Sequence, residues 1–132
     1  MASILKVDTL TGVTTAGSIS VTGEGNSTTT NLQQGLCKVW AISNAGAAAS
    51  DSFNLASTTD NGTGDYTFAI SSDMGSANYA HPIGSSLGDG GAGLDVDIHT
   101  KAAGSLRFHT VRDDSTKTDC TYISLSILGD LA

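Results

Sequence analysis

The chain has little charge, little proline and few runs of Leu, Glu, Lys and Arg. Only 14% of its 132 residues are charged and a single residue is proline. Because runs of Leu, Glu, Lys and Arg are scarce, long helices are disfavoured. The 39% hydrophobic content argues against intrinsic disorder. What the chain has instead is 16 glycines among many Ser and Thr residues, a composition that favours short strands joined by turns.

A long hydrophobic run and a basic surface are also absent. No stretch approaches the ~20 apolar residues of a membrane span, and the N-terminus lacks the basic and apolar regions of a secretory signal. We therefore expect synthesis in the cytoplasm and no membrane insertion. The net charge of −7 repels nucleic-acid phosphates, so nucleic-acid partners are disfavoured.

Markers of catalysis are missing as well. The only Glu is Glu24, so the paired Glu carboxylates of glycoside hydrolases are lacking, and no Gly-x-Ser-x-Gly motif marks a nucleophile. We expect no enzyme activity and no catalytic or metal-binding residues. His99 and His109 fall on the polar faces of neighbouring predicted strands and can approach each other.

Residues 90–95 match the start of a calcium-binding β-roll repeat, Gly-Gly-x-Gly-x-Asp. The match occurs once, whereas such calcium sites need stacked copies. A plain glycine loop is favoured, and no cofactor is expected.

The two cysteines fall in the first and last predicted strands of the main domain. A disulfide between Cys37 and Cys120 is geometrically possible. Cytoplasmic assembly favours two buried free thiols instead.

The most informative stretch is 51–79, which reads as a β-hairpin. Asn61-Gly62 is a dipeptide that tolerates positive φ and predicts the turn. Apolar residues alternate on both arms, so one face carries Phe53 and Leu55 and the opposite arm carries Tyr66, Phe68 and Ile70. We expect Phe53, Tyr66 and Phe68 to be buried.

The same stretch carries a family resemblance. The residues are Asp51-Ser52-Phe53-Asn54, the run 59–67 (Thr-Asp-Asn-Gly-Thr-Gly-Asp-Tyr-Thr), Met74, Ala77, Asn78 and Tyr79, with Lys38-Val39-Trp40 upstream. Together they resemble a domain of tail-fibre-like or uncharacterised virion structural proteins of marine (cyanobacterial and related) tailed bacteriophages, over roughly 33–132. The resemblance implies that the protein is part of the virion, and it identifies no catalytic residues.

The remaining pattern predicts an all-β fold. Strands are expected at 35–43, 78–86, 94–100, 105–111 and 120–128, with one helical turn in 72–77. Pro82 indicates that its segment is an edge strand or contains a bulge. With the hairpin this gives about seven strands, an antiparallel β-sandwich or jelly-roll-like domain over 35–132. The residues expected in the core or in an interface are Trp40, Phe53, Leu55, Tyr66, Phe68, Ile70, Phe108 and Tyr122. Trp40 is interpreted as a core or interface anchor, not as a ligand-stacking ring.

Residues 1–34 form a separate segment, an arm with two short apolar pieces. Alone, such an arm cannot offset the entropy of its ordering. We expect other subunits or another virion protein to hold it, which favours a homotrimer; the alternative is that it packs on its own domain. The residues of this assembly arm are Ile4, Leu5, Val7, Ile19 and Val21.

Loops at 44–50, 87–93 and 112–118 are expected to face solvent or a host surface. The glycine-rich one is the candidate recognition loop, since surface loops on rigid scaffolds often carry recognition. Its residues are Gly88, Asp89, Gly90, Gly91 and Gly93.

These observations favour a non-enzymatic virion surface protein of a tailed bacteriophage, a short fibre or knob for host adhesion. Its expected partners are copies of itself, other virion proteins through the arm, and a host surface glycan. The alternative is a head (capsid) decoration protein. A second alternative is a free-standing carbohydrate-binding module, against which the loops contain no Trp or Phe and leave only Tyr79 as an exposed aromatic.

Overall fold

The structure is a computed structural model that describes residues 4–13, 19–23, 28–44, 48–88 and 93–132. The chain divides into two compact units, Met1–Gly35 and Leu36–Ala132. The sequence predicts this boundary between residues 34 and 35. Within the described ranges, no helix is long and apolar enough to cross a membrane.

The first unit contains a small antiparallel pair, β1 (Ser20–Thr22) and β2 (Thr29–Asn31), followed by one helical turn, α1 (Leu32–Gly35). The Asn31 side chain accepts a hydrogen bond from the Gln34 amide at 3.0 Å, which caps the turn. Most of the apolar arm residues are more than half exposed, namely Ile4, Leu5, Val7 and Val21, and Ile19 is half-buried. That other subunits or another virion protein hold the arm stays a prediction.

The second unit is built from two four-stranded antiparallel sheets. Their strands are β3 (Cys37–Asn44), β4 (Ala49–Phe53), β5 (Leu55–Gly62), β6 (Asp65–Ile70), β7 (Ile83–Ser86), β8 (Asp95–Ala102), β9 (Ser105–Val111) and β10 (Tyr122–Leu128). The order is β4-β3-β10-β7 in one sheet, called here the Trp40 sheet, and β5-β6-β9-β8 in the other, called the Asp65 sheet. The all-β antiparallel prediction is confirmed.

One hydrophobic core contains side chains from both sheets. Alternate residues of β3, β6, β9 and β10 are buried, as the period of two in a half-buried strand requires. Phe108 lies at its aromatic centre, with ring centroids 5.4 Å from Phe68 and 5.9 Å from Tyr66. The burial predicted for Tyr66, Phe68, Ile70 and Phe108 is confirmed, and Leu55 packs against the core while partly buried.

The first arm of the predicted hairpin is broken at Asn54, which corrects the sequence interpretation. Asn54 has φ 56°, a left-handed conformation that breaks the strand alternation. Its amide group donates to the carbonyl oxygens of Lys38 and Ser72, each at 3.1 Å. The chain thereby passes from β4 in one sheet to β5 in the other, so Phe53 and Leu55 do not share a face. The described residues of the second unit form eight strands, where about seven were expected, and Phe53 is 54% exposed instead of buried.

The predicted hairpin turn at Asn61-Gly62 is also wrong. Gly62 pairs with Asp65, which places Thr63-Gly64 in the two-residue loop. Gly64 has φ 60°, and its amide donates to Asp119 Oδ1 at 2.7 Å. This contact across 55 residues selects the later position, and a bulge between Asp60 and Gly62 absorbs the shift.

The predicted helical turn at 72–77 is absent, because this segment makes hydrogen bonds with the C-terminal residues instead. Met74 forms an isolated bridge with Leu131, and the Gly75 amide donates to Asp130 O at 2.8 Å. The edge position predicted from Pro82 is confirmed, since β7 directly follows it and ends the Trp40 sheet.

Candidate functional site

The outward side of the Trp40 sheet is rich in exposed aromatic and aliphatic side chains. Trp40 and Phe53 are directly paired on β3 and β4, and Tyr122 on β10 pairs with Asn44, two residues beyond Ile42 on the same side of β3. Exposure is 54% for Phe53, 47% for Ile42 and 45% for Tyr122, while Trp40 is half-buried. These four side chains, Trp40, Ile42, Phe53 and Tyr122, are called the aromatic face.

The aromatic face contains an open depression of about 260 Å³. Its lining includes Ile42, Tyr122, Ser124 and Gly84. Ser124 on β10 lies between Ile42 on β3 and Gly84 on β7, since it pairs with both. The depression exists because Gly84 has no side chain. A Cβ there would stand 3.0 Å from Ser124 Oγ.

The charge on this side of the sheet is small. Asp51 on β4 pairs with Ile42 and is exposed. Lys38 is only 5% exposed, and its Nζ donates to Leu36 O at 3.1 Å. Within the described residues, the exposed part of this face therefore carries one carboxylate and no exposed cation.

The outward side of the Asp65 sheet has the opposite character, because it holds a closed cluster of ionic side chains. Arg107 donates to both carboxylate oxygens of Asp65, from Nε and from Nη2, each at 2.9 Å. His109 Nε2 lies 3.2 Å from Asp65 Oδ2, and Lys117 Nζ lies 3.5 Å from the same oxygen. The Arg107 guanidinium is the main cause that holds the pKa of Asp65 well below its usual range.

This cluster is suited to holding strands together and not to catalysis. The Asp65 side chain is 9% exposed and its oxygens are occupied by neighbouring donors. A general base works best with a pKa near the working pH, whereas the pKa of Asp65 is shifted away from neutrality. We assign the cluster to the stability of β6 against β9.

The predicted proximity of His99 and His109 is confirmed. Their ring centroids are 5.0 Å apart in an edge-on arrangement. In the part of the chain that the structure describes, no group of three or more His, Cys, Asp or Glu side chains could hold a metal ion.

Both cysteines are free thiols, but the prediction that both are buried is wrong for one of them. Cys37 is exposed at the start of β3, and Cys120 is buried. Burial raises the pKa of the Cys120 thiol.

Several predicted site residues lie elsewhere than expected. Tyr122, like Phe53, is exposed and lies outside the core, and Trp40 is half-buried. For Trp40 and Tyr122 the interface role stays a prediction. Tyr79, the one aromatic expected at the surface, is 5% exposed, with its hydroxyl donating to the carbonyl oxygens of Ala102 and Ser105.

The candidate recognition loop lies largely outside the described residues. Residues 89–92 fall in an undescribed range, so only Gly88 and Gly93 are placed. The calcium-like segment 90–95 is affected in the same way. The recognition role of this loop stays a prediction.

Sequence reasoning missed the aromatic face, although one signal for it was present. Tyr122 alternates with the buried Ile123 and shares its side of the strand with Ser124 and Ser126. A ring in register with serines is expected on the solvent side. The pairing of Trp40 with Phe53 carried no comparable signal, since it depends on the break at Asn54.

No protein-family model matches this chain, and comparisons with curated proteins and with solved structures give no match either.

Proposed function

We propose that this chain is a non-enzymatic structural protein on the surface of a tailed-bacteriophage virion, and that its second unit adheres to the host surface. The observation that supports the adhesion role is the aromatic face. Exposed aromatic side chains grouped on one rigid sheet are typical of surfaces that bind a partner. The virion location rests on the resemblance in 51–79.

The proposed assembly is a β-sandwich that resembles a jelly roll in having eight strands in two sheets, held as a homotrimer. The arm, residues 1–34, attaches it to other virion proteins and to neighbouring subunits. The support is the exposure of Ile4, Leu5, Val7 and Val21, since exposed apolar side chains on so short a segment suit burial by a partner.

The experiment is an adsorption assay with a deletion of residues 1–30. Purified full chain is expected to run as a trimer in light scattering and to compete with phage for host cells. The deletion is expected to remain folded by circular dichroism and to be lost from the particle. A monomeric full chain that neither binds cells nor is detected on particles by immunogold labelling would refute the proposal.

A second candidate function is head decoration, favoured by the same exposed arm, which suits capsid attachment without any receptor. The two roles separate when 88–93 are replaced by an Asn-Gly turn and when the aromatic face is altered. A decoration protein keeps both capsid occupancy and infectivity after either change. An adhesion protein loses host binding after at least one of them.

A further inference from the structure

We propose that the aromatic face is a binding site for a neutral saccharide, with the sugar ring seated in the depression between Ile42 and Tyr122. This inference rests on the proposed adhesion function and names its ligand class and its site. The site lies on a sheet face and not on the glycine-rich loop.

The size of the depression suits one sugar ring. Its volume of about 260 Å³ is just below the ~300–1,000 Å³ of pockets that enclose drug-sized ligands. It is open on the solvent side, so a longer chain can continue across the sheet towards Trp40 and Phe53. Aromatic rings offer a flat apolar surface for the C–H side of a pyranose, and a Tyr hydroxyl adds a polar edge.

The polar groups around the depression are those that sugar hydroxyls need. The hydroxyl-bearing residues Ser86 and Ser124 line it together with Tyr122, and hydroxyls both donate and accept hydrogen bonds. Asp51, in register with Ile42, supplies an acceptor at the side. This mixture of one ring, one aliphatic wall and several hydroxyls fits an uncharged polyol.

Charge selects a neutral ligand over an anionic one. The exposed side chains of this face carry the carboxylate of Asp51 and, within the described residues, no exposed cation, because Lys38 is buried. A sialic acid, sulfate or phosphate group would meet a carboxylate in a chain of net charge −7. Neutral hexoses and N-acetylhexosamines meet no such repulsion.

A second copy of this chain is a poorer occupant than a saccharide. Seven residues of β10 at ~3.4 Å each, across four strands ~4.8 Å apart, give a face of roughly 450 Å². A standard stable interface needs about 800 Å² per partner.

The test uses Trp40, the single tryptophan, as a reporter on the face itself. Full-length protein is titrated with neutral oligosaccharides built from glucose, mannose, galactose or N-acetylglucosamine, and with a sialylated one. We expect a saturable change in Trp40 emission with at least one neutral sugar and none with the sialylated sugar. Light scattering in the same samples detects self-association.

Two variants locate the site. Tyr122→Ala removes an exposed ring and is expected to weaken binding about tenfold or more, by analogy with the loss of one stacking ring. Ser124→Tyr fills the depression from an exposed position and is expected to abolish the emission change. The matched control is Ile98→Ala, which removes an exposed aliphatic side chain from the Asp65 sheet and leaves the affinity unchanged.

The outcomes separate this inference from the function it rests on. No response to any neutral sugar, with host binding by the wild-type chain intact, overturns the saccharide site and leaves adhesion standing. Sugar binding that survives both Tyr122→Ala and Ser124→Tyr also overturns the site. A saturable sugar response without any binding to host cells supports the site and refutes adhesion. If the emission change depends on protein concentration and accompanies dimer formation, the aromatic face binds a second copy of the chain, and the inference is overturned.

Discussion

The two glycines of the β5–β6 hairpin provide a direct test of where its turn lies. A Cβ added at Gly64 would stand 2.7 Å from Thr110 O and 2.7 Å from Thr118 N. Both are backbone atoms, so neither can rotate away. A Cβ added at Gly62 meets nothing within 4 Å, although its φ of 126° disfavours any side chain.

The expected magnitudes differ enough to measure. Gly62→Ala carries backbone strain alone, about 1–2 kcal/mol. Gly64→Ala carries ~1 kcal/mol of left-handed strain and a further ~2–3 kcal/mol because overpacking displaces backbone. Its total is therefore about 3–4 kcal/mol. The displacement also strains the bond from the Thr110 amide to Gly64 O, which measures 2.9 Å.

The assay is urea unfolding of both variants beside the wild type, with the slope m compared to verify a common unfolded state. Thermal unfolding gives a second estimate, since 1 kcal/mol corresponds to ~4–8 °C in a domain of this size. We expect Gly64→Ala to be the less stable by roughly 2 kcal/mol. If Gly62→Ala is the more destabilising change, the turn lies at Asn61-Gly62 and the argument from Cβ contacts is wrong.

Three further predictions follow from burial and charge. Phe68→Ala is expected to lower the free energy of unfolding by ~3–5 kcal/mol, as for other fully buried Phe residues, while Phe53→Ala costs under about 1 kcal/mol; equal losses in urea unfolding would contradict the core assignment. Asp65→Asn is expected to cost about 2 kcal/mol at pH 7. The folded pKa of Asp65 is lowered. Its contribution to the free energy of unfolding is therefore complete above the unfolded pKa of about 4 and is lost as the pH falls below that value. The free energy of unfolding of the Asp65→Asn variant should depend less on pH below about 4 than that of the wild type. A thiol reagent should modify Cys37 in the native protein and reach Cys120 only after unfolding, as peptide mass mapping would show; simultaneous modification would count against the burial of Cys120.

The regular parts of the fold could be predicted from the sequence because local alternation determines them. In β6, β9 and β10 the apolar residues recur at every second position, and the buried side chains follow that pattern. The core residues Tyr66, Phe68 and Phe108 were found for the same reason. Register and sheet membership were not found, because neither is a local property.

The two errors in the hairpin have long-range causes. Asn54 adopts a positive φ while its side chain bonds to Lys38 and Ser72, 16 and 18 residues away. Gly64 is selected for the turn by Asp119, 55 residues away. Local rules favour Asn-Gly as a turn, and these distant hydrogen bonds override that preference.

The break at Asn54 also determines which part of the chain stabilises the fold and which part is open to a partner. Phe53, which precedes Asn54, faces outward on the Trp40 sheet. Leu55, which follows Asn54, packs against the core. In the Asp65 sheet, the ion pair of Arg107 with Asp65 occupies the outward side of the two central strands, and the exposed residues of the edge strands β5 and β8 are mostly polar. The Trp40 sheet leaves apolar surface in water, which costs roughly 25 cal/mol per Å². If the proposed adhesion is correct, the exposed rings of the Trp40 sheet are where a partner is expected to bind. Changes on the aromatic face should therefore alter binding without altering stability, and changes at Asp65 should do the reverse.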